Sequence, residues 1–199
     1  MATLTAPRPP APLLTIEDVL NMPDSKNYEL IDGVLKERAM SITSDFVGSR
    51  FAMELGLQAG MSGGWAFGGG PSLALWPRRP NHFVRPDASY FTPDQFGGGP
   101  LPKGTALSTA PALVVEVISP GDRDGEVSRN IADSLEAGVR MLWVVYPERR
   151  QVHVYRPGQR VVLVQDGEEL TGGDVLPGFR CDLARLMPPV AASPAASEA

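Results

Sequence analysis

Three carboxylates stand in stretches of sequence where acids are not expected. Glu116 interrupts Ala112-Leu113-Val114-Val115-Glu116-Val117-Ile118, a nearly continuous apolar run of the kind that forms a central strand buried on both faces. Glu is depleted from strands, and a buried carboxylate is costly unless it is paired or bound to a cation. Glu116 therefore lies at the strand's exposed end, is buried against an arginine such as Arg123 or Arg140, or belongs to a site. Asp87 follows Arg85-Pro86 inside another apolar stretch. Proline in a strand marks an edge or a bulge, and such an irregularity can aim the next side chain into a cleft. The plainer reading is an Asp that ends a ladder with a turn hydrogen bond. Glu29 lies in Tyr28-Glu29-Leu30-Ile31-Asp32-Gly33. Strand alternation puts it with Ile31 on one face and Tyr28 with Leu30 on the other, so it is either an exposed strand acid or points inward beside an apolar neighbour. Three such acids converging from separate strands would make a ligand set for a hard divalent cation, Mg²⁺ first and Mn²⁺ as a substitute. Mg²⁺ keeps several waters, which leaves room for a phosphate oxygen and an attacking water, the requirements of phosphodiester hydrolysis.

The residue counts point the same way by exclusion. The chain has one cysteine, Cys181, which rules out a disulfide framework or a cysteine-rich zinc module. Two histidines, His82 and His153, are too few for a histidine-rich metal site. With 199 residues, 43% of them hydrophobic, the sequence predicts one domain with a real core over 13–187. Ala/Pro/Ser/Thr-rich tails are expected at 1–12 and 188–199. No apolar run is long enough to span a bilayer, and the start lacks a secretory layout, so a cytoplasmic protein is the expectation. Eighteen basic against 23 acidic residues give a net charge of -5, which argues against coating nucleic acid by charge alone.

The elements that would position these acids follow from patterning. Thr15 reads as the N-cap of a short helix. Asp32-Gly33 turns one strand into another within 28–35. Residues 46–59 carry a helical stripe, with Gly60 near its C-cap. The glycine-dense 62–70 predicts turns and a bulged strand. Residues 72–76 and 83–91 read as paired strands, followed by a loop over 92–110 long enough to suspect a flap. The buried run at 112–118, a helix over 126–138 with Val127, Ile131 and Leu135 on one face, and a strand at 141–146 imply a parallel crossover. A C-terminal β-hairpin about Pro157-Gly158 joins 151–155 to 161–165, and a short helix is expected near 183–187. The fold class is α/β with a mixed sheet.

Other features carry less. SGGWAFGGGP and FGGGPLPKG do not end in Gly-Lys-Ser/Thr and are not phosphate loops. Arg78, Arg79 and Arg85, and the set Arg149, Arg150, Arg156 and Arg160, could contact phosphates or simply line solvated turns. Trp65 and Trp76 could stack bases, though packing is the simpler role, and Trp143 reads as core. Ser119 lacks a nucleophile-elbow context, His153 reads as a sheet-surface residue, and Cys181 has no partner or signature.

The order of these segments resembles the Uma2 family of endonucleases, a branch of the PD-(D/E)xK nuclease-like superfamily. The carrying segments are YELIDGVLKE at 28–37, VRPDASYF at 84–91, the stretch from PALVVEVISPGD to VHVYRPG at 111–158, and GGDVLPGFRCDLARL at 172–186. The resemblance implies a restriction-endonuclease-like core, a mixed central β-sheet flanked by helices. It implies that Asp87 is the Asp of the PD motif, that Glu116 is the acid of (D/E)xK, and that Glu29 is the acid contributed from the N-terminal part of the core. These residues would hold Mg²⁺ and position water for attack on nucleic acid, DNA being the expected form. A homodimer would suit cutting two strands. The resemblance also implies a lysine. Ile118 stands two residues after Glu116, and the position on the following helix that supplies the lysine in this family corresponds to Asn130. Arg129 is adjacent but points about 100° away on a helix. Ser134 stands where the family usually has an aromatic residue. Asn130 can hydrogen-bond a water but carries no charge, and losing a positioned charge can cost roughly two or more orders of magnitude in rate. The alternative function is thus a weak or inactive nuclease-fold protein that binds nucleic acid or a protein partner.

Overall fold

A two-residue turn and a buried parallel pair organise the site. The computed structural model describes residues 12–69, 71–97 and 99–189. The expected tails fall almost wholly on 1–11 and 190–199, outside the described residues. Thr15 caps α1 (Ile16–Leu20) through a reciprocal pair with Asp18. Asp32 and Gly33 both take positive φ, 52° and 81°, which reverses the chain between β1 (Tyr28–Ile31) and β2 (Val34–Glu37). Their register pairs Ile31 with Val34 and Glu29 with Lys36.

The next helix exceeds the expected 46–59. Ser41 and Ser44 form a capping box that starts α2 (Ile42–Ser62) a turn earlier, and Gly63, at φ 74°, ends it, so Gly60 lies inside the helix. β3 (Trp65–Gly68) follows, then the two-residue β4 (Ser72–Leu73). The pairing expected between 72–76 and 83–91 shrinks to one bridge, Leu73 to Val84. β4 pairs instead in parallel with β6 (Ala106–Leu107). Pro86 supplies no N–H to a ladder, so the strand expected over 83–91 breaks there, and only β5 (Ala88–Phe91) enters the main sheet. Within 92–110, β6 pairs with β4 and Gln95 Nε2 donates to Ala110 O at 2.6 Å.

The crossover forms as the apolar runs require. β7 (Leu113–Val117) leads through α3 (Asp124–Glu136) to β8 (Met141–Tyr146), and β7 and β8 pair in parallel. β9 (Gln151–Tyr155) and β10 (Val162–Gln165) make the expected hairpin, which is the edge of the central sheet. That sheet has six strands in the order β10-β9-β8-β7-β5-β3, with every other neighbouring pair antiparallel. A further pair, β11 (Glu169–Thr171) and β12 (Arg180–Asp182), goes beyond the sequence reading, and a 3₁₀ turn at Leu183–Arg185 replaces the short helix.

Alternation along β7 and β8 divides the core. Leu113, Val115, Met141, Trp143 and Val145 pack with Val47, Phe51 and Leu55 of α2. Val114, Leu142 and Val144 pack with Val127, Ile131 and Leu135 of α3. Glu116 has the parity of Val114 and so belongs to the α3 face.

Candidate functional site

Pro86 and the end of the β5–β7 ladder place the first carboxylate. Asp87 precedes β5, and its Oδ2 accepts the Val117 N–H of β7 at 2.7 Å. Its Oδ1 accepts from Arg38 Nη2 at 3.0 Å. Asp87 thus ends a ladder through a cross-strand bond, not the turn bond of the plainer reading, and lines a cleft. Burial pushes its carboxyl up to about 6, although the Val117 N–H and the Arg38 charge pull down, while Glu29 and Asp122 add repulsion.

Glu29 is buried, not an exposed strand acid. Its Oε1 accepts the Arg85 N–H at 2.8 Å, and the Leu30–Phe83 bridge clamps its strand to the segment leading to Asp87. Burial raises its pKa, and the Arg85 N–H, Lys36 and Arg38 oppose that rise. Glu116 projects from β7 into the same space. Burial raises its pKa well above the ordinary carboxylate value, the nearby Asp87 and Glu29 raise it further, and Arg38 eases it. Neither Arg123 nor Arg140 forms an ion pair with it.

One cavity of about 50 Å³ brings together Glu29, Asp87, Glu116 and Asn130, with Lys36 and Arg38 on its walls. Asn130 comes from α3, one turn after Glu126. Arg129 lines the neighbouring groove beside β2 and does not line this cavity, as helical geometry requires.

A hard divalent cation suits this donor set. All three acids offer oxygen, each carboxylate oxygen has two acceptor positions, and the cavity has room for a cation and a water or two. Mutual repulsion among these clustered carboxylates is what a cation would relieve. Among the described residues no three acidic, histidine or cysteine side chains close around one point, so the acids share a cavity without forming a finished cage. That arrangement fits Mg²⁺, which is commonly held by one or two carboxylates and keeps several waters.

Three residues of the cavity went unnoticed in the sequence: Lys36, Arg38 and Asp122, whose Oδ2 accepts the Ser119 N–H at 2.8 Å. The Asp-Gly turn held the signal for the first, because a two-residue loop fixes Glu29 opposite Lys36. The arginines considered as phosphate contacts are mostly engaged. Arg79 bridges Asp32 and Asp133, Arg150 pairs with Asp166, Arg156 with Asp174, and buried Arg85 donates to Tyr28 O. Trp76 packs edge-on against His82, Trp143 lies in the core and Cys181 is buried and free, all in packing roles.

The Uma2 family model, described as "Putative restriction endonuclease", matches residues 14–184. The chain belongs to the Uma2 family. Among solved structures, a "putative nuclease belonging to DUF820" from Anabaena variabilis ATCC 29413 superposes with a TM-score of 0.70 at 20% identity, over 87% of this chain and 97% of that one. That likeness establishes a shared fold, the nuclease-like mixed sheet with its flanking helices. No curated protein matches the chain. Among the described residues no helix is long and apolar enough to cross a membrane.

Proposed function

We propose that this Uma2 chain is a divalent-metal-dependent endonuclease that hydrolyses phosphodiester bonds in DNA. Asp87 and Glu116 would hold Mg²⁺ directly, and Glu29 would hold it directly or through water. The observation that carries the reading is the convergence of three carboxylates, Glu29 buried and Asp87 and Glu116 partly buried, from β1, the residue before β5, and β7 on one cavity. When bound, the cation would supply charge to the phosphate and lower the pKa of water. Asp87, held by the Val117 N–H and Arg38, keeps its carboxylate aimed into the cavity. Glu116 is close enough to take a hydrogen bond from a water there. Asn130 can donate to or accept from the same water. The water oxygen would form a bond to phosphorus as it gives a proton to solvent, the bond to the sugar oxygen would break, and that oxygen would leave with a proton taken from solvent. Two chains acting together would cut both strands of a duplex.

Plasmid cleavage with Mg²⁺ or Mn²⁺ tests this. The wild type is expected to cut, and Asp87→Ala to lose about 10²-fold or more. A wild type that neither cuts nor gains melting temperature with either metal would overturn the proposal. The absence of a lysine at 130 favours the second reading, a binding protein with a weakened site. An inactive wild type that gains cleavage in Asn130→Lys would establish that reading instead.

A further inference from the structure

The cleft lacks a lysine from α3, yet it does not lack an ammonium. Lys36 leaves β2 directly opposite Glu29, and cross-strand partners in an antiparallel pair project to the same side. Its side chain lines the cavity with Glu116, Asp122 and Asn130. Its Nζ lies 3.0 Å from Glu126 Oε2, one helical turn before Asn130 on the same stripe of α3. A lysine at position 130 would deliver its ammonium to this same gap between β2 and α3. The other cations of the cleft are committed to positioning: Arg38 to Asp87, Arg85 to Tyr28 O. Lys36 is held by an acid that is 40% exposed, the kind of surface ion pair worth little and easily exchanged for a phosphate oxygen.

We infer that Lys36 is the catalytic cation of this site, supplying from the β1–β2 hairpin the charge for which Asn130 has no group. It would touch a non-bridging phosphate oxygen and stabilise the charge that develops as the water attacks. The inference rests on the nuclease reading above.

Single-turnover cleavage with saturating Mn²⁺ is compared for the wild type, Lys36→Ala, Lys36→Arg, Asp87→Ala and the double variant Lys36→Ala/Asn130→Lys, with Mn²⁺ affinity measured by calorimetry. Lys36→Ala is expected to cut about 10²-fold more slowly while binding Mn²⁺ within threefold of the wild type. Lys36→Arg should keep part of the rate, and the double variant should recover at least about tenfold over Lys36→Ala. Binding of a fluorescent oligonucleotide with Ca²⁺ in place of Mn²⁺ gives a readout without turnover. There Lys36→Ala should flatten the salt slope by about one unit. Lys36→Ala cutting within threefold of the wild type, losing Mn²⁺ affinity in step with rate, or keeping the full salt slope overturns the lysine's role. So does a double variant that recovers nothing. Asp87→Ala cutting as well as the wild type overturns the nuclease reading instead, and a wild type that binds Mn²⁺ and cuts nothing overturns both.

Discussion

Glu116 concentrates the chemistry of the site in one side chain. Burial, then the nearby Asp87 and Glu29, push its pKa up, so the folded protein holds this proton more tightly than the unfolded chain does. The stability this contributes is complete below the unfolded glutamate value of about 4.3 and is lost as pH rises through the folded value. Asp87 behaves likewise, its loss centred near 6. Without metal at pH 8 both acids therefore weigh against folding. Glu116→Gln removes one charge and relieves the other two acids. It is expected to stabilise the metal-free protein by about 1–3 kcal/mol at pH 8, and by nothing measurable near pH 4. Denaturant titrations in a chelator at the two pH values check this, and equal stability of both proteins at pH 8 would contradict the buried cluster. A divalent ion competes with the same protons. Mn²⁺ affinity should fall as pH drops from 8 to 5, with protons released on binding, which calorimetry in buffers of different ionisation enthalpy would register.

At the scale of elements, α2 supports the site from behind. A Cβ at Gly48 would come within 3.2 Å of the Asp87 Cβ, whereas at Gly56 and Gly60 it would meet nothing within 4 Å. Gly-to-Ala in an open helix position is worth about 0.5–1 kcal/mol. Gly56→Ala and Gly60→Ala should each raise stability by about that much. Gly48→Ala should gain less and should weaken Mn²⁺ binding, because the added methyl presses on Asp87. Thermal melts with and without Mn²⁺ separate the three, and a Gly48→Ala variant with unchanged Mn²⁺ affinity would show that α2 does not set the position of Asp87. The elements that could be read in the sequence were those whose pattern is local. The apolar run around Glu116, the Val127-Ile131-Leu135 stripe and the Asp32-Gly33 turn each state their own structure. The start of α2 was harder, since Ile42 and Phe46 are exposed and the cue was a serine pair. The expected 72–91 pairing failed because proline interrupts it and because β6, more than thirty residues on, competes for β4. Lys36 and Arg38 were missed for a related reason: register within the hairpin is local, but the docking of the hairpin against α3 is not.

The whole molecule sets how strongly this cleft can hold nucleic acid. The net charge is -5, and among the described residues six arginines are engaged in ion pairs: Arg38, Arg79, Arg150, Arg156, Arg180 and Arg185. The cations that line the cleft and the groove beside it reduce to Lys36, Arg38, Arg85 and Arg129, of which Arg38 holds Asp87 and the Arg85 guanidinium donates to Tyr28 O. A footprint of two or three neutralised phosphates follows, and log Kobs should fall against log salt with a slope of about -2 to -3. Three clustered carboxylates repel a phosphate unless a cation stands between, so binding should also collapse when the divalent ion is removed. Both effects are measurable together by fluorescence anisotropy on a short duplex, with Ca²⁺ to suppress cleavage and a chelator as the contrast. A slope steeper than about -6 would require a basic surface that this cleft does not contain, and binding that persists undiminished in chelator would separate nucleic-acid contact from the carboxylate cluster altogether.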